Sequence, residues 1–235
     1  WKARDLRNNI LFVLGMLVIF RLAAHIPVPG VDVAGLRQLF ASSQMLGLLN
    51  VFSGGVMENF SIVMMGVAPY ITSSIIFQLL AMIIPQLEEM QKEEGGKQKI
   101  NMWTRWATVP LAIMQSYGMI TLLRRSQYNI LGDISGIDLF SMIITITAGT
   151  VFLMWLGEII TEKKVGNGIS LLIFAGIISA LPQAVQKSLA DIMFSGSSQL
   201  IQAEIFKLVG FAILAIVTVV GVVIITEAQR NVPVQ

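Results

Sequence analysis

Cysteine is absent from the 235 residues, and histidine occurs once, at His25. Without thiols the chain has no disulfide, no thiolate metal site and no cysteine nucleophile, and a single imidazole excludes a paired-histidine zinc site. Charge is scarce as well. Asp, Glu, Lys and Arg make up 13% of the residues, where an ordinary soluble domain carries about 25%. That charge falls in clusters between long apolar runs, which marks a membrane protein. With 16 Lys+Arg against 14 Asp+Glu, the balance is too even to specify an anionic partner, and no direct nucleic-acid site is expected. No A-x-A cleavage site follows the first apolar run, which leads into IPVPG. The chain opens at Trp1 and not at a methionine, so the natural N-terminus is expected further upstream.

Catalytic groups are missing too. The apolar runs hold no GxSG serine, no HExxH pair and no pair of aspartates for an intramembrane dyad. The GNG at 166–168 lacks the GxGxxG and GxxxxGK[ST] spacings of nucleotide sites and reads as a tight turn between helices. No enzyme, catalytic residue, metal or cofactor is expected.

What is present is a series of six apolar runs, at about 9–26, 61–84, 103–123, 137–160, 169–185 and 205–226. The chain reads as all-α and polytopic. Lys2, Arg4 and Arg7 precede the first run, and a modest majority of Lys and Arg then fall on the same side, which favours a cytoplasmic N-terminus. Arg21 and His25 read as interfacial residues near the far end of the first span. QLEEMQKEEGGKQK at 86–99 reads as a solvated, mixed-charge loop. Residues 126–136 and 187–204 read as external connections, and 227–235 as the start of another loop.

The stretch from Asn50 to Pro85 organises the rest. Its second part, 61–84, is long enough as a helix, about 36 Å, to cross the hydrocarbon core. Pro69 is expected to kink it near Met65, with Thr72, Ser73 and Ser74 satisfying freed backbone groups. Its first part, from Leu36 to Phe60, is apolar but broken by Gly47, Gly54 and Gly55. Spacing alone leaves it either an interfacial helix lying on the membrane or a re-entrant segment buried in protein. Val67 and Ile71 lie four apart, as do Ile169 and Ile173, so each pair shares a helix face. Such faces are either ordinary packing surfaces or the aliphatic collar of a pore that gates by dewetting. A secondary transporter is the competing class, but it would keep carboxylates inside its spans, and Glu158 and Glu204 lie at span ends. A membrane scaffold without conductance is the third.

Four ordered stretches carry a resemblance: IPVPGVD at 26–32, FSGG at 52–55, GVAPYITSSIIFQLL at 66–80 and FLMWLGEIITEKKVGNGISLLIFAGI at 152–177. Together they resemble the SecY family, the channel subunits of the Sec protein-translocation complex. The resemblance implies the first five-helix half (9–186) of an inverted-repeat channel plus the sixth helix (205–226). It makes 36–60 a re-entrant plug that includes Asn50, Phe52, Ser53, Gly54 and Gly55. It puts the pore ring on Val67, Ile71 and Ile173 with Ile169 adjacent, and the polar cluster of the lateral gate on Thr72 and Gln115. Val67 departs from the isoleucine common at its position. The function implied is passage of unfolded secretory polypeptides across the bacterial inner membrane, with sideways release of apolar segments into the lipid bilayer. The partners implied are the membrane subunits SecE and SecG, and SecA or a ribosome on the cytoplasmic side.

Overall fold

The structure, a computed structural model, describes the chain except residues 1–3, 44–45, 48–49, 51–52, 54, 94, 127–129, 133–134, 195–197 and 228–235. Phe52 and Gly54 therefore lie outside the described residues. Contacts divide the chain into two units, Trp1–Ala180 and Leu181–Gln235. The described residues form helices and turns with no strand. The helices are α1 (Arg4–Ala24), α2 (Val33–Ser42), α3 (Ala68–Ile83), α4 (Pro85–Lys92), α5 (Gly96–Arg124), α6 (Gly136–Glu162), α7 (Gly168–Phe194) and α8 (Ser198–Glu227).

Four of these helices are long and apolar enough to cross a membrane: Leu6–Ala24 of α1, α5, α6 and Val209–Thr226 of α8. A fifth crossing is reached if α3 and α4, bent by 106° at Ile84, count as one broken span. The described apolar part of α7, Gly168–Ser179, is shorter than a crossing. The chain is thus an all-helical, polytopic membrane protein.

The expected kinked helix over 61–84 is not there. α3 starts at Ala68, and Pro69 sits in its first turn, where a missing N–H and a fixed φ suit a helix start. Residues 61–67 run as turns, and Gly66 has φ +57°, a left-handed conformation that only glycine adopts without strain. Pro69 begins a helix; it does not bend one. The buried turn keeps its polar groups satisfied by stitching to the segment after α1. Val28 N–H donates to Phe60 O (2.9 Å) and Ile62 N–H to Ile26 O (3.0 Å) around an isolated antiparallel bridge between Pro27 and Ser61.

The charged stretch after α3 also differs from the expected loop. Pro85–Lys92 is helical, closed by the Glu88–Lys92 pair at i,i+4 (2.7 Å), and α5 begins at Gly96, seven residues before Trp103. The 187–204 connection is likewise helical on both sides, to Phe194 in α7 and from Ser198 in α8.

Two cores hold the first unit together. One joins Val13 and Phe20 of α1 to Val63, Val67, Leu153, Leu156, Ile160 and Leu172. The other buries Leu36 and Phe40, the apolar face of α2, against Phe60, Met64, Ile120, Met142 and Ile146. α5 presents its buried face with a strict four-residue step: Ile100, Thr104, Thr108, Ala112, Ser116, Ile120. Small and hydroxyl-bearing residues at that spacing let helices approach closely. Thr104 and Thr108 donate to the carbonyls one turn back (2.9 and 2.7 Å), and Ser73 Oγ of α3 donates across to Thr104 O (2.8 Å). S73A is expected to cost about 0.5–1.5 kcal/mol, because the bond is buried and water cannot replace the lost donor. S74A, one position along, should lie within about 0.5 kcal/mol of wild type. Unfolding of the two variants in detergent checks the difference.

Candidate functional site: two cavities with a shared partition

α3 and α7 bring the two isoleucine pairs together. Val67 is the residue that caps α3, buried, and its carbonyl accepts the N–H of Ile71 (3.1 Å), so the two stay one turn apart although only one is helical. α7 starts where Asn167 accepts the N–H of Ser170 at its side-chain oxygen (3.2 Å) and that of Leu171 at its carbonyl (3.0 Å). Thr161 Oγ1 accepts the N–H of Gly168 (2.9 Å). The glycines of this turn let the two helices touch. A methyl group added at Gly168 would fall on the carbonyl of Gly157, and one at Gly157 on the side chain of Ile169. Ile169 and Ile173 thereby stand beside α6 and pack, with Ile71, on the core that holds Val67.

Two cavities meet at these residues. The larger, about 580 Å³, is lined by Ile71, Ile75, Ile169 and Ile173 and by a polar set that includes Gln78, Asn101, Arg105, Glu158 and Asn167. The smaller, about 280 Å³, is apolar, lined by Phe20, Val56, Met57, Leu153 and Leu172 with Ser53, Val67, Ile71 and Ile173. Ile71 and Ile173 belong to both walls. They form the partition, with Ile169 on the polar side and Val67 on the apolar side.

Sequence reasoning missed the ion pair in the larger cavity. Arg105 Nε of α5 donates to Glu158 Oε1 of α6. Glu158 reads in the sequence only as a span-end carboxylate, and nothing local links it to a residue so far away along the chain. Of the residues expected in a plug, Ser53 lines the apolar cavity, while Asn50 and Gly55 do not and are bonded to each other (Gly55 N–H to Asn50 O, 2.9 Å). Thr72 donates to Ala68 O in its own helix (3.0 Å), and Gln115 is half-buried on α5. Neither lines either cavity. No group of three or more potential metal-ligating side chains occurs among the described residues.

The model of the SecY family matches residues 61–235. The chain belongs to the SecY family. It is 43% identical to the protein translocase subunit SecY of Corynebacterium glutamicum, over the whole of this chain and 54% of that protein. It is 41% identical to that of Bacillus subtilis, over the whole chain and 54% of the relative. The corresponding subunit of Pseudomonas aeruginosa is also 41% identical, over 98% of the chain and 51% of its own length. The chain thus spans about half the length of the SecY relatives it matches.

Proposed function

We propose that this chain forms part of a protein-conducting channel subunit of a bacterial inner membrane, one that passes unfolded polypeptides across and releases apolar segments sideways into lipid. The observation that carries the reading is the partition itself. Two isoleucines, from the first turn of one helix and from another helix, line both a larger cavity with polar walls and a smaller apolar one. Aliphatic side chains at a neck touch any passing sequence without asking for particular hydrogen bonds, and a dry neck holds back ions. Val67 and Ile169 flank the neck on its two sides, and the segment around Ser53 and Gly55 acts as its plug. Thr72 and Gln115 serve as the polar positions of a lateral gate. On this reading the chain crosses the membrane six times from a cytoplasmic N-terminus, with α7 as the fifth crossing and α8 as the sixth. SecE and SecG accompany it in the membrane, and SecA or a ribosome drives the substrate. The subunit is a conduit and not an enzyme.

The chain's lack of cysteine makes the test direct. In the full-length protein, with any cysteine outside these 235 residues replaced, I71C or I173C should crosslink to a cysteine in the mature part of a secretory chain arrested in transit. L14C, on the exposed face of α1, should not. Crosslinking equal at all three positions, or at L14C alone, would place the path elsewhere.

A further inference from the structure

The larger cavity is ringed by four helices. α3 brings Ile71 to its wall, α5 brings Arg105, α6 brings Glu158 and Thr161, and α7 brings Ile173. Each side of this ring is closed by a different kind of contact. α3 is tied to α5 by the buried bond from Ser73 Oγ to Thr104 O (2.8 Å), two residues along from Ile71. α6 is stapled to α7 by Thr161, whose Oγ1 donates to Gly157 O (2.8 Å) and accepts the N–H of Gly168 (2.9 Å). The two glycines of that staple leave no room for a methyl group between the helices. Where α3 faces α7 the wall is aliphatic, Ile71 and Ile173. The fourth side, between α5 and α6, is closed by the ion pair of Arg105 and Glu158.

The ion pair sits beside the two fixed joints. Arg105 follows Thr104, the acceptor of the α3 bond, and Glu158 follows Gly157, the acceptor in the α6–α7 staple. It therefore links the α3–α5 pair of helices to the α6–α7 pair. α5 and α6 are held differently at their two ends. Away from the cavity, Ile120 of α5 shares a buried apolar core with Met142 and Ile146 of α6. At the cavity the Arg105 and Glu158 side chains are 49% and 21% exposed. An apolar seam keeps its closest packing, because any gap forfeits buried area and contacts. A partly solvated ion pair can exchange its partner for water at small cost. The two helices are pinned at one end and adjustable at the other.

We propose that Arg105 and Glu158 are positioning residues: their ion pair fixes the spacing of α5 and α6 at the cavity, and through it how closely Ile71 and Ile173 approach at the neck. This deepens the channel reading and rests on it. With the α3–α5 and α6–α7 sides held by buried or stapled bonds, releasing the ion pair lets the two pairs of helices part at the aliphatic side. Neither charged group has to touch the passing chain to act in this way.

The test reads resting ion current per inserted channel, in the full-length protein within its membrane complex and with any cysteine outside these 235 residues replaced. R105A/E158A removes the link and leaves the net charge of the cavity unchanged. Its current should rise about two- to fivefold, the range expected of a partly exposed ion pair. R105E sets a second carboxylate against Glu158 and should leak at least as much. R105E/E158R rebuilds the pair with its ends exchanged and should return towards wild type. R105C/E158C supplies a reversible version. Joined by a short, cleavable bis-methanethiosulfonate linker it should seal, and it should leak again once a reductant cuts the linker in the same membrane. A folding defect would not follow the linker, and a pure charge effect would not arise from a neutral pair. Wild-type current in R105A/E158A, or a leak in R105C/E158C that linking leaves unchanged, would overturn the proposal. I71N, assayed alongside, separates it from the reading beneath it: if I71N leaks while R105A/E158A stays sealed, the channel stands and the positioning role falls. If I71N is sealed as well, both fall.

Discussion

I71N and I173N are expected to let ions through the resting full-length channel, while I75N, one turn further along α3, leaves it sealed. The three substitutions make the same chemical change on two helices, so the outcome depends on position. Ile71 and Ile173 line both cavities, whereas Ile75 is half exposed and lines only the wide, polar one. An ion entering an aliphatic neck loses hydration with nothing to replace it, at a cost of several kcal/mol. An amide at the neck offers a replacement ligand and lets water in. Lowering the barrier by about 1.4 kcal/mol is enough for a tenfold rise in current. An amide at 75 adds a polar group to a wall that already has several and should change little. Currents equal in all three variants, at matched levels of inserted protein, would reduce the isoleucines to packing residues.

The second large effect is expected at glycines. G149A and G168A should each lose about 1–3 kcal/mol, the usual cost of forcing atoms into a packed interior. G118A, on the open side of α5, should be neutral or stabilised by about 0.5–1 kcal/mol through helix propensity. A methyl group at Gly149 would land on the main-chain carbonyl of Ile62, and one at Gly168 on that of Gly157 and on the side chain of Ile160. Main chain cannot rotate aside as a side chain can. At 118 nothing lies within 4 Å of the added atom. Resistance to proteolysis and thermal unfolding in detergent report the cost. G149A should also disturb function, because Ile62 lies in the turn that positions Val67. If G149A and G168A matched G118A in stability, the close approach of these helices would be refuted.

The membrane class and the long helices were legible in the sequence because each apolar run is continuous and each break is charged or glycine-rich. The misreadings share one cause: hydropathy does not record backbone direction. Residues 61–67 are as apolar as a span, so nothing in their composition separates a helix with an internal proline from a turn that ends in one. Gly66 three positions before Pro69 was the available signal, a left-handed residue ahead of a helix-starting proline. The helix at 85–92 left a signal as well, since Glu88 and Lys92 stand at i,i+4 in a stretch that composition alone assigns to loop. The partition was half legible. Spacing showed that Val67 and Ile71, and Ile169 and Ile173, share faces, but not that the faces meet. The Arg105–Glu158 pair was not legible, because it needs two packed helices.

The bridge between Pro27 and Ser61 also bears on the order in which the protein assembles. It closes a loop of about 34 residues, and the entropy of closing a loop grows only logarithmically with its length. Its bonds are main-chain bonds, independent of α5, α6 and α7. The pairing of 26–28 with 60–62 is thus available as soon as the first third of the chain has been synthesised, before the helix that carries Gly149 exists. A loop closed early lowers the entropic cost of the more distant contacts formed after it. The stitched turn then acts as a template: α6 docks by fitting Gly149 against the carbonyl of Ile62, and a chain that mispairs at the bridge meets that glycine with the wrong surface.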